Sequence, residues 1–344
     1  MSFQDCEPTS GNEIEGASLS TEKREAGGPI PTQEEPLFDN PFQMQDLLVF
    51  DDAEFRRMIV RDRTGFTLTD LAWSLHNAPQ PLLRRAWRNV PAHRWQLFLS
   101  ELRRSLTGDE IETAQRRVLD SLFWELTYWK TPALYEELTV GEQLHPGIFE
   151  QLEPDVSGRV VLDAGAGSGR ATFECLCHGA RLVYAVEPSR GLLRILQQKM
   201  VRQHCVGQVV ALEGRFDAIP LGDKSVDVAL ACSSFTAEPE QGGESGLAEL
   251  KRVTKMGGKV VLIWPRIEDY EWLKAHGFQG VTLNSEQEMS VHFKSLPSAL
   301  RVARRFYAHN PNVIRYIHQH QRPEVPFSVL GINPPRDYYW LIVK

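Results

Sequence analysis

The chain has 344 residues, enough for two domains with a core each, and its 42% hydrophobic and 24% charged usage is that of a globular protein. A net charge of −7 argues against a nucleic-acid binder held by phosphate neutralisation. Five scattered cysteines give no paired framework, no apolar run reaches the ~20 residues of a membrane span, and no basic-then-apolar leader opens the chain, so a cytoplasmic protein is expected.

Residues 1–40 are rich in Glu, Ser, Gly and Pro, with almost no large apolar groups to offset ordering entropy, and are expected to be a disordered tail. From 41 to 130 apolar residues recur at helical spacing. Phe55, Met58 and Ile59 share one face behind a cap at Asp51 or Asp52. Thr67 and Asp70 are placed as a capping box before the stripe Leu68, Leu71, Ala72 and Leu75. Pro79, Pro81 and Pro91 suit first turns. Two long amphipathic helices follow, "AHRWQLFLSELRRSL" and "DEIETAQRRVLDSLFWELTYW". A small all-helical domain of about five helices is predicted. Its arginine doublets at 56/57, 84/85, 103/104 and 116/117 could meet an anionic surface, or form a solvated face among interleaved acids such as Glu54, Glu101 and Glu112.

The stretches "MQDLLVFDDAEFRRMI", "LTDLAWSLHNAPQPLLRRAWRNVPAHRWQLFLSEL" and "IETAQRRVLDSL" resemble the C-terminal helical domain of the flagellar motor switch protein FliG. In that likeness His76 stands at a basic position, Arg88 keeps an arginine, and Ser100 and Glu101 replace an acid pair. The resemblance implies a helical scaffold for contacts with protein, through residues 41–130.

Residues 131–157 read as a linker with one helix. Beyond 158, aliphatic runs of strand length alternate with helical stretches: "RVVLDAG", "RLVYAVE", "GQVVALEG", "SVDVALACSS", "KVVLIWP", "GVTLN" and the terminal "DYYWLIVK". Such alternation makes a parallel sheet covered on both faces, with the last run at or near an edge. Before that run lies an insert, about 285–325, that is basic, aromatic and helical in pattern.

The first of these strands ends in "DAGAGSGR", three glycines within five positions. A turn that bare lets a ligand approach the backbone while the next helix aims its N–H groups at it. Dinucleotides and S-adenosylmethionine both use that geometry. A dinucleotide fingerprint would need glycine at 165, 167 and 170, and position 170 is arginine. The series is instead Gly165, Gly167 and Gly169 behind Asp163, an acid badly placed beside a pyrophosphate but well placed beside the cationic methionyl part of a sulfonium.

"VLDAGAGSG" resembles motif I of class I S-adenosylmethionine-dependent methyltransferases, and "YAVEPSRGLL", "LEGRFDAIPLGDKSVDVALACSSF" and "LAELKRVTKMGGKVVLIWP" continue the likeness in order. It implies a Rossmann-like, mostly parallel seven-stranded sheet over residues 158–344, preceded by the small all-α domain. It implies S-adenosyl-L-methionine as cofactor, with Glu187 on the ribose hydroxyls, unless that acid only caps the helix after Pro188. In this family an acid often follows the position of Gly214; here Arg215 stands there, and Asp217 or the Phe216 ring would serve adenine. Ser233, at the end of the fourth strand where the acceptor arrives, is counted with Asp163, Gly165, Gly167, Gly169, Glu187 and Asp217 among the cofactor contacts, and "SSF" at 233–235 is not the Asn-Pro-Pro-aromatic signature of enzymes that methylate nucleic-acid amines.

Because a sulfonium carries its own activation, the protein mainly aligns reactants and excludes water, which makes catalytic residues hard to read. Tyr135 and Glu238 are the candidates, with the histidines His145, His276 and His292 more readily surface or core groups. Tyr128, Trp129 and Tyr135 are placed to fold over the cofactor as a lid, and Arg301, Arg304, Arg305 and Arg315 of the insert could meet an anionic group. Cys175 and Cys177, one residue apart on a helix, do not suit a shared metal. The expected function is methyl transfer to a small molecule, the helical domain docking a partner or covering the site; the alternatives are a protein methyltransferase whose helical domain recruits its target, and a non-catalytic adaptor.

Overall fold

The computed structural model describes residues 40–59 and 65–344, so nearly all of the predicted 1–40 tail lies outside the described residues. The helical region opens with α1 (Asp52–Ile59), α2 (Leu68–Ser74), α3 (Gln80–Asn89), α4 (Trp95–Leu102), α5 (Gly108–Ser121) and α6 (Phe123–Lys130). Local chemistry sets the starts. Asp51 accepts from the Glu54 N–H at 2.9 Å, and the Thr67 hydroxyl and Asp70 carboxylate exchange bonds with each other's backbone N–H groups. Leu68, Leu71, Ala72 and Leu75 are all buried, as their spacing requires. The side chains of Met58 and Ile59 lie outside the described set.

The predicted helix through residues 109–129 is broken. Leu122, with φ −105° and ψ 12°, bends the chain between α5 and α6 although its N–H still reaches Val118. Beyond the bend α6 packs against α7 and brings Trp124 and Tyr128 to the wall of a cavity. The segment 131–157 also differs from expectation, holding two helices, α7 (Pro132–Gly141) and α8 (Gly147–Val156). The arginine doublets lie on a face of mixed sign: Arg85 pairs with Asp52, Arg116 with Glu112 and Arg117 with Asp70.

Seven strands form the main sheet: β1 (Val160–Ala164), β2 (Leu182–Glu187), β3 (Val209–Glu213), β4 (Val226–Cys232), β5 (Thr254–Ile263), β6 (Gln279–Thr282) and, at the end, the strand Asp337–Ile342. Between them run α9 (Arg170–Cys177), α10 (Arg190–Arg202), α11 (Gly243–Val253) and α12 (Tyr270–Ala275). The region before the last strand is not purely helical. Besides α13 (Leu296–Phe306), α14 (Pro311–His320) and α15 (Phe327–Leu330), it contains β7 (Ser290–His292) and β8 (Glu324–Pro326), which pair antiparallel. The last strand is therefore β9.

The order is β3-β2-β1-β4-β5-β9-β6, parallel through β5 and antiparallel on both sides of β9, so β9 lies one place from the edge. The connections reverse direction between β1 and β4, which opens a crevice beyond their carboxyl ends. Alternate residues face opposite layers: Val161, Leu230 and Val261 join a cluster with α1–α8, whereas Leu162, Ala229 and Val260 pack against Leu247 and Leu250 of α11. The first cluster is continuous from Phe55 and Leu71 to Val183 in β2, so the helical region and one face of the sheet share a core.

Candidate active site

A cavity of about 650 Å³ opens over the carboxyl ends of β1, β2, β4 and β5, within the usual ~300–1,000 Å³ of small-molecule sites. Its floor is the glycine turn. Gly165, Gly167 and Gly169 have φ of +68°, +57° and +99°, a region costly for residues with a Cβ. The N–H groups of Gly165 and Ala166 both donate to Val186 O, at 2.8 and 3.0 Å, which pins the turn to the end of β2. A Cβ on Gly165 would come within 2.6 Å of Ser234 Oγ, and one on Gly169 would meet Leu196 and Phe173; one on Gly167 would meet nothing within 4 Å. Gly165 and Gly167 line the cavity and Gly169 stands behind it as the cap position of α9.

Glu187 ends β2 and lines the cavity, although only 5% exposed. Its carboxylate accepts from Gly167 N–H at 2.9 Å and Ser189 N–H at 2.8 Å. Burial outweighs these bonds and pushes its pKa up to about 7. Asp163 is 1% exposed and does not reach the wall. It accepts from the Thr172 hydroxyl at 2.6 Å, while its other oxygen has no partner among the described residues. Burial raises its pKa to about 6.

Val186, Leu192, Gly214, Phe216 and Asp217 line the cavity together with Glu187. Asp217 is held by Arg215 at 3.0 Å, and Phe216 meets Phe235 edge-on at 5.2 Å. Ser233 also lines the cavity, at φ +55°; Trp264, one residue past β5, has φ +51°, so the chain adopts a rare conformation at the ends of two adjacent strands.

Helices close the opposite side. Glu54 and Arg57 of α1, Trp124 and Tyr128 of α6, Tyr135 of α7, and Phe306 and Tyr307 of the insert all line the cavity, as does Trp129. Tyr128, Trp129 and Tyr135, the residues read as a lid, are thus among those that line the cavity. Tyr135 is half-buried, and desolvation drives its hydroxyl well above the ordinary tyrosine pKa and unsuits it as a base. Glu238 does not line the cavity; it reaches outward to Arg266 at 3.0 Å, and its neighbours Pro239 and Glu240 take the wall. His145, His276 and His292 are also away from it, whereas His309 is there. The insert's arginines face elsewhere: Arg301 pairs with Glu137 and Arg315 bonds Asn312.

Glu142, just after α7, was not apparent from the sequence. It lines the cavity, accepts from the Tyr307 hydroxyl at 3.2 Å, and lies 3.6 Å from Arg170, whose guanidinium also donates to Glu142 O at 3.0 Å. Burial raises its pKa. Arg170 in turn lies over the Trp264 ring, 5.4 Å from its centroid. The roof is bonded to the floor elsewhere too: Ser189 Oγ donates to Tyr128 O at 2.8 Å, and Lys199 Nζ joins Ser168 O to Glu136. Among the described residues no group of three or more His, Cys, Asp or Glu forms a metal site, and no helix is long and apolar enough to cross a membrane.

Residues 161–258 match a family described as "Methyltransferase domain". Curated relatives are similar over the same part of the chain. An uncharacterized methyltransferase of Mycobacterium tuberculosis is 33% identical over 134 residues, 38% of this chain and 50% of its own length. One from Schizosaccharomyces pombe is 33% identical over 125 residues, 35% of this chain and 45% of its own. The chain thus spans about half the length of these relatives. Among solved structures, a SAM-dependent methyltransferase from Aquifex aeolicus is 21% identical, covers 46% of this chain and 92% of its own, and superposes with a TM-score of 0.36. Residues 161–258 of the chain are thus similar to a methyltransferase domain.

Proposed function

We propose that this chain, whose methyltransferase domain is roofed by its N-terminal helices, uses S-adenosylmethionine to methylate a small molecule. The observation that carries the reading is the pairing of a bare glycine turn with a buried carboxylate at the end of the next strand, both facing one cavity. The residues present fit the nucleoside. Gly167 offers backbone and open space, and a carboxylate that accepts two N–H groups still has lone pairs for two hydroxyls. Phe216 and Asp217 flank the slot where adenine would lie.

When bound, the sulfonium supplies an activated methyl group. The chain's own contribution is alignment and dryness. Glu187 would hold the ribose and Gly165 and Gly167 would let the chain approach. Asp163, behind the wall, acts as a positioning residue that holds Thr172 and hence the start of α9. Ser233 and Tyr135 would flank the acceptor, and Glu238 would act only through Arg266, which lines the cavity.

A small acceptor is favoured over a polypeptide because α6, α7 and the insert cover the side opposite the glycine turn. The helical region that resembles the FliG domain would thus serve here as a cover built into the enzyme, through Glu54, Arg57 and Trp124. Calorimetry with S-adenosylmethionine tests cofactor binding, and no heat would favour the adaptor reading. Incubating extract with enzyme and methyl-labelled cofactor tests the acceptor: label in the organic extract supports a small molecule, and label in polypeptide supports the protein methyltransferase.

A further inference from the structure

The part of the cavity away from the glycine turn is walled by rings. Trp124 stacks on Phe306 (centroids 5.5 Å, interplanar angle 11°) and on Tyr128 (5.9 Å, 29°), and Tyr135 meets Tyr128 edge-on at 4.7 Å. Trp264 and Tyr307 continue the wall toward Glu142. These six rings come from α6, α7, the end of β5 and the insert, so the fold gathers them. A tryptophan in such a stack would ordinarily be covered, yet Trp124 stays 41% exposed.

The charges around the cavity lean to acid, with His309 also in the wall. Three guanidiniums reach the wall and each is paired with acid, Arg215 with Asp217, Arg266 with Glu238 and Asp269, and Arg57 with Glu54 through one nitrogen only, its Nη1 having no partner among the described residues. Three more carboxylates line it, those of Glu142, Glu187 and Glu240, with Arg170 behind Glu142. An anionic acceptor would therefore lose its hydration and meet an excess of acid. A cation would meet ring faces, which attract it.

We propose that this aromatic chamber takes an amine carried on an aromatic or other apolar body, and that the methyl group is transferred to its nitrogen. The proposal rests on reading the cavity as a methyl-transfer site. An acceptor arriving as an ammonium first gives one proton to the Glu142 carboxylate, which passes it to solvent. The freed lone pair then forms the new bond to the methyl carbon as the carbon–sulfur bond breaks toward sulfur. Sulfur ends as a neutral thioether, and the positive charge, now on nitrogen, is left among the rings. The Tyr307 hydroxyl and Arg170 hold Glu142 in place for that role.

The test uses the full-length protein and three isosteric probes, 1-naphthylmethylamine, 1-naphthylmethanol and 1-naphthoate, titrated by calorimetry with and without S-adenosylhomocysteine. The amine is expected to bind about tenfold more tightly than the alcohol, and the carboxylate most weakly. Glu142→Gln keeps the side chain's shape and should reduce the amine's advantage about fivefold while leaving the alcohol unchanged. Trp124→Ala should weaken amine and alcohol together. Naphthoate binding as well as the amine, or an unchanged ratio in Glu142→Gln, would overturn the proposal. An amine preference without any heat from S-adenosylhomocysteine would overturn the methyl-transfer reading and uphold the chamber's selectivity. Nucleoside binding without an amine preference would overturn this proposal alone.

Discussion

The Gly167 N–H donates to the Glu187 carboxylate across 2.9 Å, so the glycine turn after β1 is tied to the acid that ends β2. The same carboxylate takes the Ser189 N–H, and the Ser189 hydroxyl holds Tyr128 O in the roof. One acid thus organises floor and cover together.

Removing it should be felt in binding and in pH dependence. Glu187→Ala is expected to weaken S-adenosylhomocysteine binding by about 1–3 kcal/mol, the worth of charge-assisted hydrogen bonds. Glu187 sits near 4.5 when unperturbed and near 7 in the fold, so the folded chain holds its proton more tightly and stability declines as pH rises through that window. Ribose hydroxyls favour the ionised form, so nucleoside affinity should instead rise, about tenfold between pH 6 and pH 8. Calorimetry at both values, with Glu187→Gln as the flat control, checks the sign; affinity falling with pH would refute the assignment.

The glycines should separate folding from binding. Gly165→Ala and Gly169→Ala place a Cβ against Ser234 and against Phe173 and Leu196, at left-handed φ, and should lower the melting temperature clearly. Gly167→Ala meets no atom and should cost only the ~1–2 kcal/mol of a left-handed non-glycine residue. Its methyl group borders the cavity, so nucleoside affinity should fall more than stability. Equal melting losses in all three variants would show that the third glycine serves the turn alone.

How far these features could be read in advance depended on whether they are local. The capping box at Thr67 and Asp70 and the glycine turn at 165–169 are each complete within a few residues, and the structure has both as read. The strands were legible because two buried faces leave aliphatic runs. The break at Leu122 was hidden because the apolar pattern runs straight through it, and β7 and β8 because three residues carry too little periodicity. Glu142, Trp264 and Tyr307 come together only through tertiary packing. Asp163 was legible as an acid on the strand, but its facing Thr172 behind the wall was not.

That buried pair gives a stability prediction. Thr172→Val removes the hydroxyl donor from Asp163 Oδ2, leaving a desolvated carboxylate with only the backbone N–H of residue 172 as donor and one oxygen that already lacks a partner. Asp163 rises from an ordinary 3.8 to about 6, so it is ionised at pH 8 and neutral at pH 5. The variant should lose about 1–3 kcal/mol at pH 8 and clearly less at pH 5, because the charged form depends most on the lost bond. Urea denaturation at the two values reads the difference, and equal losses would mean that Asp163 stays neutral throughout.

The link between roof and floor can be tested away from the cavity itself. Lys199 Nζ lies 2.6 Å from Glu136 Oε1 on α7 and 3.1 Å from Ser168 O in the glycine turn, and it does not line the cavity. Lys199→Met keeps an unbranched apolar side chain but removes the ammonium from over the Phe173 ring and strands the Glu136 carboxylate, whose second oxygen has no partner among the described residues. A loss of about 1–3 kcal/mol is expected, largely recovered when Glu136→Gln is added, since the second change removes the stranded charge. If α7 is held in register with the turn by this lysine, the single variant should also weaken S-adenosylhomocysteine binding severalfold. Unchanged nucleoside affinity in a destabilised Lys199→Met protein would show that the cover and the cofactor turn act independently.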